Sequence, residues 1–172
     1  METQYPYPHL APELRRLWGD ALTLWADAAE RAGALAAMLA AWDSTNDAAL
    51  RQRVRRVDDA VRAGLAALDL PRDPAADVRL VSRGRTWIGR VEPDGTILIE
   101  VERVRYCLGL GMVDRIFHAW VHESIHARRL ASSGRSAESA AWAGYEEGMA
   151  EGLARIVTDT KAHLAVHDRS YE

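Results

Sequence analysis

The feature that most constrains this chain is the stretch Ala119–Ala127, which holds two histidines and a glutamate in the order His122-Glu123-x-x-His126. The stretch lies inside an amphipathic pattern of helical period. Histidines four residues apart project from one face of a helix about a turn apart, so both imidazoles can reach a single metal ion while Glu123 points to one side. The spacing therefore predicts a metal site that has its own base.

Zinc chemistry explains why these residue types occur together. A catalytic zinc ion takes three protein ligands and a water molecule, and the water needs a carboxylate that accepts its proton without binding the metal. His122 and His126 are two candidate ligands for Zn²⁺, and Glu123 is the candidate base. A third ligand is therefore expected elsewhere in the chain.

Two further carboxylates follow in a second helical segment, Tyr145–Gly152, which begins 19 residues after His126. Glu147 and Glu151 are four residues apart and share a helical face. This spacing suits one carboxylate on the metal and one that holds the second nitrogen of a ligand imidazole. Glu146 is the alternative ligand, but it points about 100° away from its neighbour and has no acidic partner four residues on. We therefore prefer Glu147.

The joint pattern His122-Glu123-x-x-His126 and Glu147-x-x-x-Glu151 resembles the gluzincin group of zinc metallopeptidases. In that group a glutamate on a helix after the active-site helix is the third zinc ligand. The gap of 21 positions from His126 to Glu147 is typical of the group. The resemblance implies that Glu147 is the third ligand, that Glu151 orients His122 and that Glu123 is the general base and acid.

The resemblance covers residues 78–160 and implies a zincin-like domain of the α+β class that hydrolyses peptide bonds. The closest comparison is with the minimal gluzincins, which keep a small sheet and the two motif helices. The tyrosine or histidine with which larger members stabilise the transition-state oxyanion has no identifiable counterpart here. The alternative is a zinc-binding regulatory or structural protein with little proteolytic activity that acts through protein–protein contacts.

Residues 1–70 are predicted to form a helical hairpin that packs on a catalytic domain of residues 71–172. Apolar residues recur at helical spacing from Leu10 to Trp42 and from Leu50 to Leu68, on either side of a turn at Asp43–Asp47. Such a stripe is typical of a protein core. The alternative is a partner-binding or dimerisation surface. The large side chains to examine there are Trp18, Trp25 and Trp42.

Short strands follow the prolines that end the hairpin. They are predicted at Val78–Val81, Trp87–Val91 and Thr96–Val101, and the turn Glu92–Gly95 joins the last two. These strands predict a small, mostly antiparallel sheet that precedes the metal helix.

An edge strand beside a metal site can pair with an extended peptide. By resemblance to the zincin fold, the last strand is the candidate edge, and Ile97, Ile99 and Val101 are then the candidate substrate-binding residues. The alternative is that this strand lies in the centre of the sheet.

The two motif helices have approximate predicted limits. The active-site helix is expected from Arg103 or Tyr106 to Ala131, and the glutamate helix ends near Lys161. His118 lies one turn before the first ligand and is expected to neighbour the site or face solvent rather than bind metal. The tail after Lys161 is either an exposed terminus or a segment that occupies the cleft and keeps the enzyme latent. Its candidate blocking residues are His167, Asp168 and Glu172.

Composition excludes some classes of partner. With 172 residues and a net charge of −3, the chain suits one globular domain and has no basic patch for nucleic acid or a membrane surface. No run of apolar residues is long enough to span a membrane, and the N-terminus does not resemble a signal peptide. The single cysteine, Cys107, is typical of a reducing compartment. We therefore expect a cytoplasmic protein whose partner is a peptide or protein substrate.

Overall fold

The computed structural model describes residues 28–66, 70, 77–133 and 140–169, and it describes side chains for 28–65, 70, 77–128 and 144–158. The elements in chain order are helices α1 (Ala28–Asp43) and α2 (Asp47–Ala66), strands β1 (Val78–Val81), β2 (Gly89–Val91) and β3 (Ile97–Glu100), and helices α3 (Val101–Gly109), α4 (Val113–Ser133) and α5 (Ala140–Arg169). The described part is an α+β structure with five helices and one three-stranded sheet, and the predicted fold class is confirmed at this level.

Helices α1 and α2 form a hairpin at the expected place in the chain. Thr45 adopts φ 51° in the turn, and the Asn46 side chain caps α2 by accepting the Ala49 N–H at 3.1 Å. Buried side chains of both helices join those of the sheet and of α4 in one core, so the hairpin packs on the rest of the described chain. The predicted helix before Ala28, with Trp18 and Trp25, lies outside the described residues.

The sheet has the strand order β1-β3-β2, with β3 parallel to β1 and antiparallel to β2. The prediction of a mostly antiparallel sheet is therefore wrong for one of its two pairings. Strands β2 and β3 form the predicted hairpin, which closes through Gly95 at φ 85° and a 2.8 Å bond from the Glu92 N–H to the Thr96 carbonyl. Strand β2 runs opposite to β1, and β3 reverses direction again after the hairpin, so β3, which lies between them, runs parallel to β1.

The prediction that the third strand is an edge strand is also wrong. Strand β3 is central, and Ile97 and Ile99 are fully buried. Val101 is equally buried and belongs to the first turn of α3 rather than to a strand. A continuous apolar run is typical of a strand that is buried on both faces. These three residues therefore belong to the core and cannot contact an extended substrate.

The single active-site helix predicted up to Ala131 is in fact two helices, α3 and α4. Gly111 adopts φ 70° between them, and the Met112 N–H bonds back to the Cys107 carbonyl at 2.8 Å. A left-handed glycine of this kind is a common helix terminator. The break lets α4 follow its own direction across the sheet.

Helix α5 continues to Arg169, so the glutamate helix is longer than its predicted end at Lys161. The side chains on which the latency prediction depends, His167 and Asp168, lie outside the described part of the chain, as does residue Glu172. None of the helices in the described ranges has the length and apolar character needed to cross a membrane.

Candidate metal centre

The candidate centre lies where α4 packs beside α5. One side of α4 is fixed in the core by apolar side chains, among which Ile116 and Trp120 are completely buried. Because side chains three or four positions apart share a helix face, this anchoring turns His122 and His126 together toward α5. Glu147 meets them from α5. The predicted third ligand is therefore beside the two histidines.

Donor atoms of three candidate ligand residues converge at this point. The Nε2 atoms of His122 and His126 lie 3.1 Å apart. The Oε2 atom of Glu147 lies 3.2 Å from His122 Nε2, and its Oε1 atom lies 3.4 Å from His126 Nε2. Ligand bonds of about 2.0–2.1 Å in a tetrahedral zinc site place neighbouring donor atoms about 3.3–3.4 Å apart. The observed distances of 3.1–3.4 Å, which involve one oxygen of Glu147 for each histidine, are therefore close to the spacing around one zinc ion.

Burial differs between the three ligands. The side chains of His122 and His126 are only 15% and 13% exposed, whereas that of Glu147 is 66% exposed. Burial lowers the pKa of His126, because a protonated imidazole is costly to desolvate. A neutral imidazole has a free lone pair for a metal. Protein therefore covers the centre on the side of the two histidines, and the side of Glu147 is open to solvent.

Glu123 lies beside the three ligands without belonging to the cluster. Burial raises its pKa to about 7, and the negative charge of Glu147 adds to this effect. A hydrogen bond from the Val91 main chain and the charge of Arg90 act in the opposite direction. A carboxyl group with a pKa near neutrality both accepts and returns protons at physiological pH. The predicted base is therefore in a suitable environment for that role.

Glu151 contacts two histidines of α4. Its Oε2 atom lies 3.0 Å from Nε2 of His118 and 3.5 Å from Nδ1 of His122. Arg155 Nε donates to its other oxygen at 2.8 Å. The hydrogen bond with His118, followed by that with Arg155, lowers the pKa of Glu151 to about 2. Glu151 is thus a permanent anion at neutral pH.

The predicted role of Glu151, to orient His122, agrees with its position, but the closer partner is His118. His122 Nδ1 is buried and makes no hydrogen bond in the described part of the chain. The sequence predicts that His118 neighbours the site or faces solvent, and His118 lies next to the candidate metal ligands through this carboxylate. The alternative ligand Glu146 is not part of the convergent cluster.

Sequence reasoning gave no role at the site to β2. Nevertheless Gly89 lies against the side chain of Glu123, and Val91 donates to the same side chain. The signal was present in the sequence, because a glycine inside a strand pattern often marks a close approach of the backbone to another group.

Comparisons with protein-family models, with characterised proteins and with solved structures gave no match for this chain. The functional assignment therefore depends on the geometry of the site.

Proposed function

We propose that the protein is a zinc-dependent metallopeptidase of the gluzincin type, with a zincin-like fold. One observation carries the proposal: two imidazole nitrogens from an H-E-x-x-H helix and a carboxylate from a second helix converge, with distances of 3.1–3.4 Å between their donor atoms. A partly buried carboxyl group, Glu123, lies beside them. Two histidines and one glutamate form a known type of catalytic zinc site that leaves a fourth position open.

The residues present fit a zinc ion well. His122, His126 and Glu147 would hold it, and no other cluster among the described residues brings three such donors together. Zinc bound there supplies Lewis acidity, which polarises a carbonyl group and lowers the pKa of a water molecule to about 7. The exposed side of Glu147 leaves access from solvent.

Glu123 moves the proton in the proposed reaction. Its carboxylate accepts a proton from the attacking water and then delivers this proton to the nitrogen of the leaving amine. In the metal-free protein its pKa is about 7, and the positive charge of a bound zinc ion would favour the ionised form, which is the form that accepts the proton. Glu151, which is ionised at neutral pH, would hold the Nδ1–H of His122 and so fix the ligand's ring.

The edge strand next to the candidate site is β2, whereas the sequence predicts β3. Strand β2 is at the edge of the sheet and packs against α4. The pairs Glu92–Thr96 and Ile88–Glu100 bond toward β3, so alternation turns the main-chain groups of Gly89 and Val91 to the open side. An extended peptide would pair there with the main-chain groups of Gly89 and the Val91 carbonyl, since the Val91 N–H is held by Glu123, and its scissile bond would lie near the ligands and Glu123.

The test compares the zinc-loaded wild type with Glu123→Gln on a mixture of unstructured peptides, read by mass spectrometry. We expect the wild type to cleave peptide bonds and to lose this activity with a chelator. The variant should keep its zinc and its fold but lose at least about 100-fold in rate, because it lacks the proton acceptor. Full activity in the variant would refute the assignment of Glu123. A wild type that binds zinc but cleaves nothing would instead favour the regulatory or structural alternative.

A further inference from the structure

Gly89 makes an unusually close approach to the proposed base. A Cβ atom at position 89 would lie 2.7 Å from Cγ of Glu123. Two carbon atoms that are not bonded need about 3.5–4.0 Å, so this space cannot hold both a side chain at 89 and Glu123 in its present position. At the eight other glycines whose surroundings are described, an added methyl group meets no heavy atom within 4 Å.

The conflict is confined to one side chain. The other neighbours of that Cβ, the Ala119 carbonyl oxygen and Cδ1 of Ile99, would both be 3.6 Å away, which is ordinary contact. Gly89 also has no positive φ that would require glycine for backbone reasons. A methyl group at 89 is therefore compatible with β2, β3 and the backbone of α4, and only Glu123 must move.

Strand β2 contacts Glu123 a second time. Val91, two residues further along the same strand, donates its main-chain N–H to the Glu123 carboxylate. Residues 89 and 91 share one face of the sheet through their side-chain positions and one edge of the strand through their main-chain groups, because both directions alternate with period two. The strand thus supports the aliphatic part of Glu123 with one residue and its carboxylate with the other.

We propose that Gly89 is a positioning residue, whose missing side chain lets β2 hold Glu123 at the correct place beside the metal ligands. This inference rests on the proposed function, since it assigns a catalytic consequence to the contact. A displaced Glu123 no longer reaches the attacking water, although His122, His126 and Glu147 are unaffected. The consequence is a loss of turnover without a loss of metal.

The first experiment measures peptide hydrolysis by zinc-loaded Gly89→Ala. A displacement of about 1 Å in a catalytic group costs on the order of 100-fold in rate. We expect kcat to fall by about that factor, with KM within about twofold of wild type and an unchanged zinc content. Gly33→Ala is the matched control, because a Cβ at that position has no neighbour within 4 Å. A Gly89→Ala enzyme with kcat within threefold of wild type would overturn the proposal.

The second experiment does not require hydrolysis. Gly89→Ala is combined with Glu123→Ala, which removes the Cγ atom, and thermal unfolding of the four zinc-loaded proteins is compared. Gly89→Ala should lower the melting temperature when Glu123 is present and should not lower it when residue 123 is alanine. Equal shifts in both backgrounds would refute the contact. If the wild type cleaves no peptide, the proposed function fails, and this cycle alone decides whether Gly89 positions Glu123.

Discussion

Trp120 donates its indole N–H to the carboxylate of Asp58 at 3.0 Å, and both side chains are buried. Arg62 donates to the other carboxylate oxygen at 2.8 Å. Trp120 lies two residues before His122, the first candidate metal ligand on α4, whereas Asp58 belongs to α2. The bond therefore connects the hairpin of α1 and α2 to the helix that bears the candidate metal ligands His122 and His126, and the hairpin helps to fix that helix in place.

This connection leads to a prediction about stability. Asp58→Ala leaves the buried indole N–H of Trp120 without this acceptor and removes one partner of Arg62. An unsatisfied buried donor costs about 1–3 kcal/mol, so the free energy of unfolding should fall by at least about that amount. Urea unfolding of the zinc-loaded protein measures it, and Asp59→Ala, at the exposed next position, is the control. A loss below about 0.5 kcal/mol would show that the bond contributes little.

The choice between adjacent glutamates can be tested by metal content. Glu147→Ala should lower the zinc retained after purification and dialysis far more than Glu146→Ala does. The reason is that both oxygens of Glu147 face the two ligand nitrogens, whereas Glu146 is outside the cluster. Zinc is measured by elemental analysis per mole of folded protein. Equal zinc content in the two variants would contradict the assignment of the third ligand.

The cluster of ligands could be predicted because its geometry is mostly local. Residues four apart on a helix share a face whatever the rest of the chain does. The arrangement of His122 and His126 therefore follows from α4 alone, and that of Glu147 and Glu151 follows from α5 alone. The contact between these two helices depends on tertiary structure, and the sequence predicts it only through the family resemblance. The structure brings them together.

The order of the strands in the sheet does not follow from local sequence patterns. The sequence predicts a strand at Thr96–Val101, and the structure has it at Ile97–Glu100. Which strand lies in the middle of the sheet is decided by long-range packing. The run Ile97-Leu98-Ile99 did contain the relevant signal, because a strand that is apolar on both faces favours a central position. The same error hides the close approach of Gly89 to Glu123, since the sequence assigns the edge beside the candidate metal ligands to the wrong strand.

Glu151 contacts both His118 and His122. Measurements of zinc affinity can show which of these two contacts matters for metal binding. Glu151→Ala should weaken zinc binding by about 10–100-fold, the usual effect of removing a carboxylate that holds a ligand imidazole. His118→Ala should change it by less than about threefold, because the carboxylate can then turn fully to His122 Nδ1, now 3.5 Å away. Competition with a fluorescent zinc chelator gives both values. Equal losses would mean that Glu151 acts through His118 instead.

Glu123 gives the protein a specific dependence of stability on pH. Its pKa is about 7 in the folded protein, against an ordinary value of 4.5. The folded state therefore keeps a proton that the unfolded state releases at lower pH. The stabilisation is complete below about pH 4.5 and is lost as pH rises through about 7. In the metal-free protein, an ionised Glu123 thus costs up to about 3 kcal/mol of stability above pH 7.

Glu123→Gln removes this titration and should make the metal-free protein more stable than the wild type at pH 8. At pH 5, where the folded wild type is protonated at this residue, the gain should nearly disappear. Urea unfolding with a chelator present, at both pH values, measures the difference, which we expect to be about 2–3 kcal/mol larger at pH 8. Glu102→Gln, at an exposed position of α3, controls for the general loss of a negative charge. A Glu123→Gln effect that is the same at the two pH values would show that burial does not hold the proton on this carboxyl group.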